Sequence, residues 1–398
     1  MGRYKNNYGF PIPLFVTYLA YYSGQAVYNT YLNLYLTEIG MTATQIGVVI
    51  SVSTIGILLS QLFFGMVSDK SGKKVRVLQF LYICAIATVL LFYLTRNYLL
   101  VCALVSIFSM VFVPIVPLND NLTLEQVENT RWDFGQIRAG GTLGYSLTAL
   151  VSGYCLQNRY SNIFIWIFVS MIVCLICTKA LLKVQQEKVQ KCSGRDTKLE
   201  RKEKGSVLAV VCQDKVLLGL IAFNLVHGMG INFFHSYYPI YFSEIGGDSK
   251  WIGVMIFACS LAEIPFFIGM NRIVKRQGIN KVLLEAGLLT GIRWLLLSQL
   301  RNPYLIVACN LLHGFSFSAV TCCLLNYINE NIQFEYRART QVLNSVISMV
   351  CSKSIFGFLG GTLFDVIGAP KVLLVLGSVM IVTTFVFVFW KKRYQASE

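Results

Sequence analysis

Charge is what this sequence has least of. Only 13% of its 398 residues are Asp, Glu, Lys or Arg, about half the share a soluble chain carries to keep its surface wet. That scarcity excludes a soluble globular protein of this length. Histidine is scarce as well, with three in the whole chain. There is no HExxH, no clustered set of metal ligands, no phosphate-cradling glycine loop and no nucleophile elbow. These absences argue against an enzyme, and no cofactor or metal is expected. The 12 cysteines are scattered through apolar segments. Cys174 and Cys177 form a CxxC, but their span carries no histidine or carboxylate, so packing is the reading they support. No cleavable signal peptide is evident, because no small-residue cleavage site follows the long first apolar segment.

What the chain has is apolar length. Hydrophobic residues make up 55% of it and gather in runs such as Ile46 to Met66, Tyr98 to Leu118, Phe164 to Leu182 and Val372 to Trp390. Each run is about as long as a helix needs to be to cross the hydrocarbon core. Spans are expected at about 11–36, 43–66, 75–95, 98–119, 138–157 and 162–183. A second set follows at 216–243, 250–271, 281–300, 303–327, 341–366 and 370–390. The expectation is an all-α membrane protein of twelve transmembrane helices.

The net charge of +15 is distributed as a topology signal. Basic clusters at Arg3 and Lys5, Lys70 to Arg76, Lys179 to Lys204, Arg272 to Arg276 and Lys391 to Arg393 fall in alternate connections. This positive-inside pattern puts both termini in the cytoplasm. It suits a bacterial-type inner membrane with anionic headgroups, and it argues against a nucleic-acid partner. The polar stretch 183–205 has no apolar periodicity. It reads as a cytoplasmic linker between an N-terminal six-helix half, 1–182, and a C-terminal half, 206–398.

An internal repeat supports that division. Tyr35-Leu36-Thr37-Glu38-Ile39-Gly40 recurs as Tyr241-Phe242-Ser243-Glu244-Ile245-Gly246. In the same register Ile46-Gly47-Val48 matches Ile252-Gly253-Val254, and Gly72 matches Gly278. Both copies run in the same orientation, so the halves are parallel repeats.

The loop Gly65-Met66-Val67-Ser68-Asp69-Lys70-Ser71-Gly72-Lys73-Lys74-Val75-Arg76 resembles the signature of the major facilitator superfamily. A narrower likeness covers nearly the whole chain. Pro117-Leu118-Asn119-Asp120, Phe134 to Tyr145, Ala262-Glu263-Ile264-Pro265, Ile292-Arg293-Trp294 and Leu312-His313-Gly314-Phe315 resemble the lactose-permease-like branch, which includes oligosaccharide and phenylpropionate-type proton symporters. The resemblance implies two parallel six-helix halves. It also implies a conformational latch at Asp69 and Arg76, substrate contacts at Asp120, Arg138 and Tyr145, and proton coupling through Glu263, Arg293 and His313. The chain departs from lactose permease one turn after the histidine, where Ser316 replaces a carboxylate used in coupling. It also lacks the aspartates of that protein's seventh helix.

The residues themselves point the same way. A charge at bilayer depth costs roughly 2.5–3.5 kcal/mol on insertion scales, so Asp120, Arg138, Glu263, Arg293, His313 and Lys353 imply use or pairing. Tyr18, Tyr22, Gln25 and Asn29 fall on one face of the first helix, a polar stripe too expensive to turn toward lipid. Tyr22, Gln25 and Asn29 are therefore candidate substrate contacts. Pro114 and Pro117 are expected to kink the helix before Asp120. Gly140, Gly144, Thr148 and Ser152 form a small-residue face for helix packing. The expected function is secondary transport of a small organic solute (a sugar, nucleoside or aromatic carboxylate) by a monomer using alternating access, with the proton as coupling ion. The alternative is a substrate-sensing receptor on a transporter scaffold.

Overall fold

The computed structural model describes residues 11–71, 73–127, 132–156, 159–191 and 211–395. Among these residues every regular element is helical. The N-terminal elements are α1 (Ile12–Glu38), α2 (Ala43–Ser71), α3 (Lys74–Leu91), α4 (Tyr98–Phe112), α5 (Ile115–Val127), α6 (Phe134–Leu156) and α7 (Ile163–Lys191). The remainder are α8 (Lys215–Glu244), α9 (Ser249–Gln277), α10 (Ile279–Leu297), α11 (Pro303–Asn310), α12 (Leu312–Asn331), α13 (Phe334–Ser345), a π-helical turn (Val346–Cys351), α14 (Ser352–Ile367) and α15 (Ala369–Gln395).

Three of the rods are broken rather than continuous. The α4–α5 break falls at Val113 and Pro114, where proline supplies no backbone N–H. Pro117 sits in the first turn of α5, where its missing donor costs nothing. The α11–α12 break at Leu311 tightens into i→i+3 bonds, Leu311 N–H to Ala308 O and Gly314 N–H to Leu311 O, both 3.2 Å. The π-helical turn joins α13 to α14. Joined across these breaks, the described helices make twelve rods. Nine stretches among the described residues are long and apolar enough to cross a membrane. They carry large exposed apolar side chains, such as Leu99, Ile268 and Val366, each more than two-thirds exposed. Such a surface suits lipid and not water.

The helix ends differ from the sequence expectation in ways that matter for function. The fourth rod runs on to Val127, so Asp120 lies inside a helix rather than just past one. The next helix begins at Phe134, a turn early, which encloses Arg138. Helix α7 continues to Lys191, into the stretch read as linker; residues 192–210 lie outside the described residues.

The chain forms two compact units, Met1–Met41 with Val52–Arg201, and Thr42–Ser51 with Lys202–Glu398. In the first, α1 lies along α6 and α7. Glycine makes the α1–α6 approach possible: a Cβ on Gly144 would stand 2.2 Å from the Leu19 carbonyl oxygen. Thr148, on the same small-residue face, donates to Ser23 Oγ at 2.8 Å. Cys174 is buried with its thiol toward Thr17 O, in keeping with a packing role. In the second unit α10 packs on α15 and α12, α9 on α12, and α8 on α14. Asp365, at the end of α14, accepts from the Ala43 and Thr44 amides at 3.2 and 2.7 Å, which caps the α2 N-terminus within this unit.

The sequence repeat is also a structural repeat. Helix α1 ends with Gly40 at φ +93° and α8 ends with Gly246 at φ +87°. In the first copy Gly40 N–H bonds Thr37 O and Met41 N–H bonds Leu36 O; in the second Gly246 bonds Ser243 O and Gly247 bonds Phe242 O. Both are left-handed glycine caps that satisfy the last carbonyls of a helix.

Candidate functional site

Each unit contains a polar cluster between its helices. In the first, the α4–α5 break carries Asp120 alongside α1 and α6. Tyr18 donates to Asp120 Oδ1 at 2.6 Å, and Arg138 Nε lies 3.4 Å from the same oxygen. The Arg138 guanidinium covers the Tyr22 ring at 4.7 Å and the Tyr18 ring at 5.5 Å, and the two rings are themselves stacked. Gly141 leaves room for this, since a Cβ there would meet the Tyr22 ring at 2.7 Å. The ion pair is not sealed: the Asp120 and Arg138 side chains retain 27% and 33% exposure. A carboxylate, a planar donor fork and an aromatic face thus meet at one accessible point, a set suited to hydroxyls or a small anion.

Of the α1 stripe, only its lower part belongs to this cluster. Gln25 is half-buried and Asn29 exposed, about one and two turns beyond Tyr22, and neither has a hydrogen-bond partner among the described residues. Tyr145 stands two turns beyond Arg138 on α6, half-buried. Tyr18 is the residue that sequence reasoning placed in the stripe but left out of the candidate site. The signal available was its spacing, one turn before Tyr22 on the same face.

The second cluster is more enclosed, with Arg293 and His313 both buried. Glycine again sets the packing: a Cβ on Gly314 would stand 2.2 Å from Ala262 O, so α12 and α9 touch through backbone beside Glu263 and His313. Pro265 removes a helical donor just past Glu263 and loosens the backbone there. With α10 and α11 these two helices present a continuous chain of polar atoms. His313 Nε2 is 3.3 Å from Glu263 Oε1, and His313 Nδ1 is 2.8 Å from Arg293 Nη1. Arg293 Nε donates to Asn310 Oδ1 at 3.2 Å, and its guanidinium caps the Phe234 ring at 4.7 Å.

Donor chemistry fixes the proton on this histidine. A guanidinium can only donate, so Nδ1 must accept, and the ring hydrogen sits on Nε2, pointing at the Glu263 carboxylate. A second proton on Nδ1 would face Arg293 head-on. His313 is therefore a neutral connector between a fully buried cation, 1% exposed, and a carboxylate whose side chain keeps 27% exposure. The sequence brought Glu263, Arg293 and His313 forward together, and the structure joins them. It missed Asn310, one turn before His313, and Phe234. Ser316, in the position of the absent carboxylate, is buried and bonds only its own helix, to Leu312 O and His313 O at 3.2 Å.

Arg76 is exposed in the first turn of α3, and the side chain of Asp69 lies outside the described residues. Among the described residues no group of three or more His, Cys, Asp or Glu could hold a metal ion.

The model of the MFS_1 like family matches residues 12–392. Maltose permease of Geobacillus stearothermophilus is 27% identical over 293 residues, covering 72% of this chain and 69% of that protein. The probable 3-phenylpropionic acid transporter of Escherichia coli is 23% identical over 356 residues, 88% of this chain and 90% of its own. The crystal structure of the nucleoside transporter NupG superposes with a TM-score of 0.81 at 16% identity, covering 95% of this chain and 98% of that one. With the helical repeat, the lipid-facing surface and two polar clusters between helices, these likenesses make the chain a multi-pass membrane protein and not an enzyme, a member of the MFS_1 like family of transporters.

Proposed function

We propose that this chain is a proton symporter that moves a small organic solute across the cytoplasmic membrane by alternating access. One observation carries the reading: the chain from Glu263 through neutral His313 to buried Arg293. A carboxylate facing an imidazole N–H and still partly open to its surroundings can gain and lose a proton. Arg293 holds the ring in one tautomer, so the proton that moves belongs to Glu263. His313 and Arg293 position it. Ser316 cannot take this part, since a hydroxyl does not titrate in the range a proton gradient spans. Asp120, Arg138, Tyr18 and Tyr22 serve the solute, and Asp69 with Arg76 serves as the conformational latch.

The relatives span three solute classes: a maltose permease, a probable 3-phenylpropionic acid transporter and a nucleoside transporter. A sugar, an aromatic carboxylate or a nucleoside is thus the field of candidates. The test uses purified protein in liposomes with an imposed pH gradient and labelled maltose, 3-phenylpropionate and uridine. Wild type accumulates one of these against its gradient. Glu263→Gln keeps the shape but cannot release a proton; it loses accumulation and retains exchange of internal for external solute. Wild-type accumulation by Glu263→Gln would move the coupling to another group, and exchange without any pH response would remove proton coupling altogether.

A further inference from the structure

The second unit holds a cation that its own polar network does not use. Lys353 sits on the second residue of α14, immediately after the π-helical turn. It marks the midpoint of the apolar stretch Arg339–Ile367, as Glu263 marks the midpoint of Ser249–Gln277. The neighbouring Ser352 is fixed from α8, where Asn232 donates to its Oγ at 2.8 Å while also holding Gly228 O at 2.9 Å. Lys353 itself has no hydrogen bond and no ion pair among the described residues. On α8 the ring of His235 stands 6.3 Å from that of His313.

The charges in this unit therefore do not cancel. Glu263 balances Arg293 through His313, and Lys353 remains over. In the first unit Asp120 and Arg138 balance one another. A half-buried ammonium at mid-membrane needs a counter-charge, and the described residues supply none. The geometry points to Lys353 as the recognition group for the solute's own negative charge, which makes the substrate a small organic monocarboxylate. This rests on the transport reading above and narrows it. Single π-turns are frequent at functional sites, and Lys353 follows one by two residues. With the mobile proton on Glu263, one proton and one monoanion enter together and carry no net charge.

Equilibrium binding to the purified full-length protein at neutral pH tests this. The probes are 3-phenylpropionate, benzoate and butyrate, with 3-phenylpropanol, maltose and uridine as neutral comparisons. Wild type binds one of the carboxylates at least tenfold more tightly than 3-phenylpropanol. Lys353→Gln removes that margin, and Lys353→Arg keeps most of it. The inference is overturned if no carboxylate binds, or if Lys353→Gln binds the carboxylate within twofold of wild type. It is also overturned if maltose or uridine is the solute bound and accumulated. Should Lys353→Gln not fold, the wild-type preference for carboxylate over alcohol and the current on reconstituted membranes still decide the question. Uptake of carboxylate with a steady inward current contradicts the inference. Transport fails separately if carboxylate binds with this pattern yet liposomes take up none of it.

Discussion

The two polar clusters use similar residues in opposite ways. In the first unit the arginine and its acid touch, ride on tyrosine faces and remain about one-third open. In the second the arginine is sealed at 1% exposure and meets its acid only through a neutral imidazole. An open ion pair can trade its partner for a solute at little desolvation cost. A sealed one cannot, so its arginine acts as scaffold and leaves the chemistry to the partly open carboxylate. Similar inventories thus differ in exposure, and the proposed division into solute contact and proton carriage rests on that difference.

Substituting each arginine tests that contrast most severely. Arg293→Met leaves Asn310 Oδ1 and His313 Nδ1 buried without a donor, at about 1–3 kcal/mol each. We expect thermal unfolding of the purified protein to fall by about 5 °C or more, with poor recovery. Arg138→Met should unfold within a few degrees of wild type yet lose solute affinity. Equal stability losses in both would erase the distinction.

Next in size is Gly314→Ala. The added methyl would lie 2.2 Å from the Ala262 oxygen, so α12 must move off α9 and carry His313 away from Glu263. Overpacking of this kind costs roughly 1–3 kcal/mol, and accumulation should fall further than exchange. Loss of both in proportion would detach the packing from the proton pathway.

Arg138→Lys keeps the charge but not the planar fork. Solute affinity should drop roughly tenfold, the worth of one charge-assisted bond of about 1.4 kcal/mol. Affinity preserved by lysine would reduce Arg138 to a point charge. Tyr18→Phe removes the 2.6 Å bond to Asp120 and should cost about threefold to tenfold in affinity, with stability nearly unchanged. The smallest effect belongs to Asn29→Ala, for which binding should stay within about twofold, since Asn29 is exposed and two turns from the cluster.

Much of the fold was legible because a bilayer simplifies the problem. Backbone must be paired internally, so long apolar runs become helices, and the rare charges within them stand out. Glu263, Arg293 and His313 could be brought forward on rarity and likeness alone. The helix breaks were less legible. Pro114 announced the first, but Leu311 and the turn at Val346–Cys351 contain no proline or glycine, and their geometry comes from packing. The histidine tautomer depends on which nitrogen meets Arg293, a distance no spacing encodes. The α1 stripe identified a polar face correctly but not where along it the site lies. That is decided by where α5 brings Asp120, two residues beyond the apolar run that ends at Leu118.

The glycines at the ends of α1 and α8 differ in kind from the one at the α9–α12 crossing. At Gly314 the missing methyl is a matter of room. At Gly40 and Gly246 nothing lies within 4 Å of where a Cβ would stand, so only the sign of φ demands glycine. These two positions are in effect mirror-image sites, where an achiral residue does the work of a right-handed amino acid. An L-alanine there should cost about 1–2 kcal/mol by forcing its chirality against the backbone. A D-alanine, placed by chemical ligation, should fit without strain and stiffen both turns, whereas at Gly314 an L-alanine collides for want of room.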